Sequence, residues 1–347
     1  MAGAGYEDNR NAEFVLKCGD PYSSSEHIDF KVAQGFCDKG WRYNLHSNLL
    51  GGHHIYRHNQ EKNFFLTHKK YETTLKQWLE KEENKDNWCP IYRKWDVYRP
   101  KEEARQIIQG ILCAVHECHF KNYFHGLLYH PENILIHDDK SVIGGDCKEA
   151  KHIFLTYANV NKNTDFGGPT KEDDMFALSH VIFNQILKDS PSHYPKDLQE
   201  LHELLSNSDN WKFIVNHPSM WHWKSRYSYL ERVWMQYLHA DQNTQIIMVQ
   251  KFREIPVKGW EVDICFDRLL DQMFKRENGK RAYGLSTKEL LRYLRNVRVH
   301  YKENVEKMRN MPSNYFEKQF IEHITTEVSE LFLVNLYKKM CELKIEI

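Results

Sequence analysis

The sequence predicts an α+β protein in two parts, a mixed first part and an all-helical second part. Short apolar runs that suit strands alternate with helical patterns as far as residue 216. From Trp221 onward, apolar residues recur almost throughout at the three- and four-residue spacing of amphipathic helices. His217–Pro218 lies just before that pattern begins, so we predict two domains, residues 1–216 and 217–347.

Composition indicates a globular chain that stays out of the membrane. Its 347 residues are 41% hydrophobic and 28% charged. There is no apolar run of about 18 residues, so no membrane span is predicted, and the start has no signal-peptide pattern. The eight cysteines have no paired spacing, which is typical of a reducing compartment and predicts a cytoplasmic location.

The first part alternates strands with helices. Strands are predicted at 14–17, at 64–67, up to Ile136 and at 142–143. Helices are predicted at 28–36, at 73–81 with a threonine cap, at 102–119 and at 175–187. The longest of them, 102–119, turns five apolar residues inward, namely Ile107, Ile108, Ile111, Leu112 and Val115.

This order of elements, with four polar positions, resembles a protein kinase over residues 14–216. Lys17 in Phe-Val-Leu-Lys takes the place of the strand lysine that grips nucleotide phosphates. Asn133, in Pro-Glu-Asn-Ile-Leu-Ile, and Asp146 match the magnesium-binding pair. Asp174 matches the buried aspartate of the long central helix. The resemblance implies a bilobal fold with a nucleotide site at Lys17, Asn133 and Asp146.

The kinase chemistry is degenerate. The catalytic loop reads His125-Gly-Leu-Leu-Tyr-His-Pro, without the aspartate that accepts a hydroxyl proton. Asp146 is followed by Cys-Lys rather than Phe-Gly, and the 16 residues before Lys17 hold no glycine-rich loop. The resemblance therefore implies a pseudokinase with a reduced N-lobe, in which binding of ATP or ADP is left open.

A basic segment stands out in the second part, although the formal net charge of the whole chain is zero. Residues 275–310 hold eleven Lys and Arg against four acids, a net of +7. Such a local patch is typical of a phosphate-backbone site, although a solvated helix face gives the same count. Within it, Leu290, Leu291 and Leu294 begin a helical stripe, and Asn296 and His300 would share one helix face.

Several motifs in order resemble the kinase-extension nuclease (KEN) domain. They are Lys280-Arg-Ala-Tyr283, Lys288 to Asn296, Val299-His-Tyr-Lys-Glu303 and Met311-Pro-Ser-Asn-Tyr-Phe316. This domain follows the kinase in the stress-sensing kinase/endoribonuclease of the unfolded protein response and in ribonuclease L.

The resemblance implies four catalytic residues and a cleavage of RNA that needs no metal or other cofactor. His300 would protonate the leaving 5′-oxygen, and Tyr283 would assist removal of the 2′-hydroxyl proton. Arg295 would neutralise the phosphorane and Asn296 would orient it. The product would be a 2′,3′-cyclic phosphate, and the active form a homodimer with the pseudokinase as its platform. The interval from Tyr283 to Arg295 is one residue shorter than in the stress sensor.

Three other interpretations stay open. The chain could be a non-catalytic regulator that pairs with a full-length relative, or an ATP-binding serine/threonine kinase, which the missing loop aspartate disfavours. A cluster of cysteines and histidines suggests zinc, but no metal site is predicted, because Cys118 turns away from Cys113 on the helix. Its four members are Cys113, His116, Cys118 and His119.

Overall fold

The fold is mostly helical, with three small antiparallel sheets, in the part of the chain that the computed structural model describes. That part comprises residues 14–18, 52–57, 64–68, 73–92, 97–120, 124–137, 152–155, 170–188, 194–207, 210–257, 260, 268–275, 282–301, 303, 324 and 331–344. The predicted helix at 28–36 and strand at 142–143 lie outside these residues.

Eight strands form the sheets. They are β1 (Phe14–Cys18), β2 (Gly52–Arg57), β3 (Phe64–His68), β4 (Thr73–Thr74), β5 (Trp88–Tyr92), β6 (Val97–Pro100), β7 (Ile134–His137) and β8 (His152–Leu155). The sheet orders are β1-β3-β2, β4-β7-β8 and β5-β6. The predicted strands at 14–17, at 64–67 and ending near Ile136 are confirmed as β1, β3 and β7.

The helices follow the predicted amphipathic segments closely. They are α1 (Leu75–Glu80), α2 (Glu102–Phe120), α3 (Lys171–His180, continued by a π-helix at Val181–Ile186), α4 (Lys196–Asn207), α5 (Trp211–Val215), α6 (Trp223–His239), α7 (Gln242–Arg253), α8 (Arg268–Phe274), α9 (Thr287–Val299) and α10 (Phe332–Glu342). Short 3₁₀ turns cover Glu82–Asn84, Pro131–Asn133 and Pro218–Met220. No helix among the described residues is both long and apolar enough to cross a membrane.

The chain divides into two compact units. Unit 1 comprises Met1–Asn87, Lys101–Asp189 and Leu205–Trp211, and unit 2 comprises Trp88–Pro100, Ser190–Leu204 and Lys212–Ile347. Each unit therefore takes its segments from more than one stretch of sequence. The predicted boundary at residue 217 stays a prediction.

Unit 1 is organised by two local signals that the sequence carries. Thr74 caps α1 by accepting a hydrogen bond from the Gln77 amide, and the Gln77 side chain returns a bond to the Thr74 backbone. In α2 the five apolar residues predicted to face inward are fully buried. The predicted threonine cap and the predicted long helix are thus both confirmed.

Asp174 on α3 holds the loop that begins at His125. Its carboxylate is fully buried and accepts hydrogen bonds from the backbone amides of His125 (2.6 Å) and Gly126 (2.7 Å). The Nε2 atom of His119 on α2 lies 3.0 Å from the same carboxylate. Gly126 has a φ of 69°, which a glycine adopts without strain. One buried carboxylate thereby joins two helices and a loop.

Unit 2 contains a second buried carboxylate, Asp197 on α4. Arg99 donates to it at 2.9 Å and Arg226 at 3.1 Å, and all three side chains are buried. Burial alone would raise the pKa of Asp197, but the guanidinium groups of Arg99 and Arg226 hold that pKa below its usual value. Arg99 belongs to β6 and Arg226 to α6, so this carboxylate connects three elements.

Removing the charge of Asp197 should destabilise unit 2. We expect Asp197→Asn to cost about 3–5 kcal/mol, because two buried guanidinium groups lose their counter-ion. The pKa of Asp197 is lower in the folded protein than in the unfolded chain, where it is about 4. The contribution of Asp197 to the free energy of unfolding is therefore complete above about pH 4, and it is lost as the pH falls through the folded pKa. Urea unfolding at a series of pH values measures both effects.

Asp241→Asn is the matched control, because Asp241 caps α7 at the surface and asparagine caps a helix about equally well. Its free energy of unfolding should stay close to that of the wild type. An Asp197→Asn protein that is as stable as this control would contradict the assignment.

Candidate active site

Helix α9 places the predicted site residues on the outer side of unit 2. Leu290, Leu291, Tyr293, Leu294 and Val297 are fully buried in the core of that unit. The buried residues take up one side of the helix; Arg292 is exposed, whereas Arg295 and Asn296 are half-buried next to that side. Thr287 fixes the start of the helix by donating a hydrogen bond to the carbonyl of Ile255 (3.3 Å).

Three of the four predicted catalytic residues form a hydrogen-bonded chain. Asn296 Nδ2 donates to Tyr283 Oη at 3.0 Å, and Arg295 Nη1 donates to Asn296 Oδ1 at 2.9 Å. A guanidinium can only donate, so the amide oxygen must face Arg295 and the amide nitrogen must face the tyrosine. The phenol oxygen of Tyr283 is therefore an acceptor in this chain.

The Tyr283 ring is held by other aromatic rings. Phe274 on α8 stacks against it at 6.3 Å between centroids and an angle of 14°. Tyr293 meets it edge-on at 5.2 Å and 77°, and the Tyr293 hydroxyl donates to the Leu270 carbonyl at 2.9 Å. The sequence alone did not identify Phe274 or Tyr293 as supports of the site.

Arg295 is held at its backbone by Tyr227 and at its side chain by Asn296. The hydroxyl of Tyr227 on α6 donates to the Arg295 carbonyl at 3.0 Å. The Nε atom of Arg295 is buried and has no hydrogen-bond partner among the described residues. Tyr227 is itself buried, and the sequence analysis did not identify it as part of the site either.

His300 follows the last turn of α9. Its amide donates to the Asn296 carbonyl at 3.0 Å, which continues the helical pattern and confirms that the two residues are one turn apart on the same face. The imidazole Nδ1 lies 3.2 Å from Glu303 Oε2, and about half of the side chain is exposed. A carboxylate at Nδ1 favours the proton on that nitrogen and orients the ring.

The described residues do not test the predicted nucleotide site, because only one of its three side chains is among them. Lys17 pairs with Phe65 across β1 and β3, but its side chain is not among the described parts. Asn133 ends a 3₁₀ turn and donates its amide to the Leu127 carbonyl at 3.0 Å. Asp146 lies outside the described residues. The nucleotide site therefore stays a prediction.

The histidines of the alternative zinc cluster make other contacts. His119 lies against the Asp174 carboxylate, and the His116 ring stacks on Trp211 at 5.6 Å. Both contacts belong to the packing of unit 1.

No family model matches the sequence. The chain is 25% identical over 258 residues to human 2-5A-dependent ribonuclease, a match of 66% of the chain and 34% of the relative. It is 26% identical over 144 residues to the serine/threonine-protein kinase/endoribonuclease ire-1 of Caenorhabditis elegans, a match of 41% of the chain and 14% of the relative.

The chain thus resembles a ribonuclease and a kinase/endoribonuclease. The resemblance predicted from the pseudokinase and KEN motifs is thus confirmed. The matched segments span 34% and 14% of the two relatives, so most of each relative lies outside the match.

Tyr293 offers a test of how the site is supported. We expect Tyr293→Phe to cost about 1 kcal/mol, because the hydrogen bond of the hydroxyl to the Leu270 carbonyl is lost while the ring stays in place. Tyr293→Ala should cost about 3–5 kcal/mol, because a fully buried ring is removed and the edge-on support of Tyr283 goes with it. Urea unfolding measures both free energies. Equal losses in the two variants would contradict the packing role of the ring.

Proposed function

We propose that unit 2 is a metal-independent endoribonuclease of the KEN type. The observation that carries the proposal is the chain Tyr283–Asn296–Arg295, with His300 one helical turn beyond it. Phosphodiester cleavage by an internal hydroxyl needs proton transfer and stabilisation of the phosphorane, and a phenol, an amide, a guanidinium and an imidazole can supply both. Both ribonuclease relatives support the same reaction class.

The reaction is a transesterification within the RNA. The 2′-oxygen attacks the neighbouring phosphorus, a new P–O2′ bond forms, and the P–O5′ bond breaks. His300 gives a proton to the leaving 5′-oxygen and regains one from solvent, while the 2′-hydroxyl proton passes to solvent with the help of Tyr283. The products are a 2′,3′-cyclic phosphate and a 5′-hydroxyl end, so atoms and protons balance without added water.

The hydrogen-bonded chain gives each residue a role. Asn296 donates to the Tyr283 oxygen and fixes the position from which that oxygen accepts a hydrogen bond from the 2′-hydroxyl as its proton leaves. Arg295 uses one Nη1 proton on Asn296 and presents its remaining outward donors to the phosphorane oxygens. His300 is held by Glu303 at Nδ1, so Nε2 is the nitrogen that serves the leaving group.

Unit 1 would act as a platform rather than as a kinase. Its loop is held by Asp174 at His125 and Gly126, and it continues into Leu127, an apolar residue, without a carboxylate that could accept a hydroxyl proton. We propose that two copies of the chain pair as a homodimer for cleavage. The reaction itself would use neither nucleotide nor metal.

The proposal predicts cutting of an RNA stem-loop in EDTA. Wild-type protein should cleave it with a rate that rises steeply with protein concentration. His300→Ala should lower cleavage by about 100-fold or more, because the general acid is removed. A fluorescent stem-loop, followed over a series of protein concentrations, measures both effects.

His239→Ala is the control, since His239 ends α6 and its side chain is exposed. It should cleave as the wild type does, and an all-deoxy stem-loop should stay intact because it lacks the nucleophile. Wild-type protein that leaves RNA uncut at every concentration would refute the proposed function.

A further inference from the structure

We propose that Arg292 and Lys288 bind the RNA phosphates that flank the cleaved one. The proposal rests on the ribonuclease function of unit 2 and adds the path of the RNA chain beyond the reacting phosphate. Neither residue is among the four that the resemblance assigns to catalysis.

Arg292 lies directly beside the reacting cluster. Its guanidinium carbon is 5.4 Å from the centroid of the Tyr283 ring, and its side chain is about half exposed, 47%. It precedes Asn296 by four residues, one turn or about 6 Å along the helix axis. That distance is comparable to the separation of successive phosphates in an extended strand.

The guanidinium of Arg292 is held in place but keeps several hydrogen-bond donors for a ligand. Its Nη1 atom donates to Glu289 at 3.3 Å, and this is its one hydrogen bond to another described residue. The guanidinium lies over the face of the Tyr283 ring, and the cation–π attraction holds it there. A guanidinium has five donor protons in a planar fork that fits two phosphate oxygens. Several of these donors therefore stay available on the exposed side.

Lys288 extends the row by another turn. Its ammonium lies 4.9 Å from the centroid of the Tyr237 ring on α6. Lys288, Arg292, Asn296 and His300 recur every four residues, so they form one slanted row on α9. The row therefore begins with two cations, Lys288 and Arg292, each over an aromatic ring, and continues with Asn296 and His300.

A purely structural role for these cations is the competing interpretation. Exposed ion pairs three residues apart contribute little to stability, and the pair of Arg292 with Glu289 is of this kind. Two cations in line with the catalytic row fit an anionic chain better, in a segment with a net charge of +7.

The test compares two substrates. One is a short single-stranded oligonucleotide with a single cleavable ribose and deoxyriboses elsewhere, so phosphates flank the cut on both sides. The other is a dinucleoside monophosphate, which has only the phosphate that is cleaved. We expect Arg292→Gln and Lys288→Gln to lower kcat/KM on the longer substrate by roughly tenfold and threefold, respectively. Both variants should match the wild type on the dinucleoside monophosphate.

Binding gives a second measurement that does not depend on cleavage. With an all-deoxy strand of the same sequence, the slope of log Kd against log salt should fall by about 0.7 for each cation removed. Lys338→Gln is the matched control, because it removes one positive charge from α10, where Lys338 contacts Glu200 and the Phe213 ring. It should change neither the kinetics nor the slope.

Each outcome separates the inference from the proposed function. If Arg292→Gln lowers kcat/KM equally on both substrates, the inference is overturned, since the residue would then act on the cleaved phosphate or through Tyr283. Unchanged kinetics and an unchanged salt slope would overturn it as well. If the wild type cleaves neither substrate, the proposed function fails, and the salt slopes alone decide whether the row binds phosphates.

Discussion

The candidate site depends on the burial of one side of α9. Five residues of this helix are fully buried, and they hold its rotation and depth in unit 2. Burying a leucine or an aromatic side chain contributes about 1.5–3 kcal/mol, far more than an exposed ion pair. The apolar side therefore determines where Arg292, Asn296 and His300 face. The polar residues need only the correct spacing to share one exposed stripe.

The residues packed around α9 hold the side chains of the candidate site in position. The Tyr283 ring is supported by Phe274 and Tyr293, and its hydroxyl is reached by Asn296. Because Arg295 can only donate, the direction of every hydrogen bond in the chain is set from one end. A site arranged in this way before substrate binds loses little free energy to reorganisation during the reaction.

Sequence reasoning succeeded where the signal was local. The four-residue spacing of Asn296 and His300 predicted a shared helix face, and the structure confirms it. Phe274 and Tyr227 were missed because they reach the site from α8 and α6, and local periodicity says nothing about which helices pack together. Strands β2, β4, β5, β6 and β8 were missed too: β2 (Gly-His-His-Ile-Tyr-Arg) has no run of apolar residues, and Pro90 within β5 is a residue that argues against a strand.

The two buried carboxylates show how different parts of the chain are held. Asp174 accepts backbone amides in unit 1, whereas Asp197 lies between two guanidinium groups in unit 2. Both lie at the meeting point of several elements, where a lost partner leaves a buried charge uncompensated. Such residues preserve a fold, whatever chemistry the loop beside them carries out.

The most direct test of the account is the chemistry of the newly formed RNA ends. ³¹P NMR of an RNA cleaved in the presence of EDTA distinguishes a 2′,3′-cyclic phosphate from a linear phosphate. The account predicts the cyclic phosphate as the first product, together with a 5′-hydroxyl end, because the 2′-oxygen is the nucleophile. A first product with a 5′-phosphate and a free 3′-hydroxyl would show attack by water and would contradict the roles assigned to Tyr283, Arg295, Asn296 and His300.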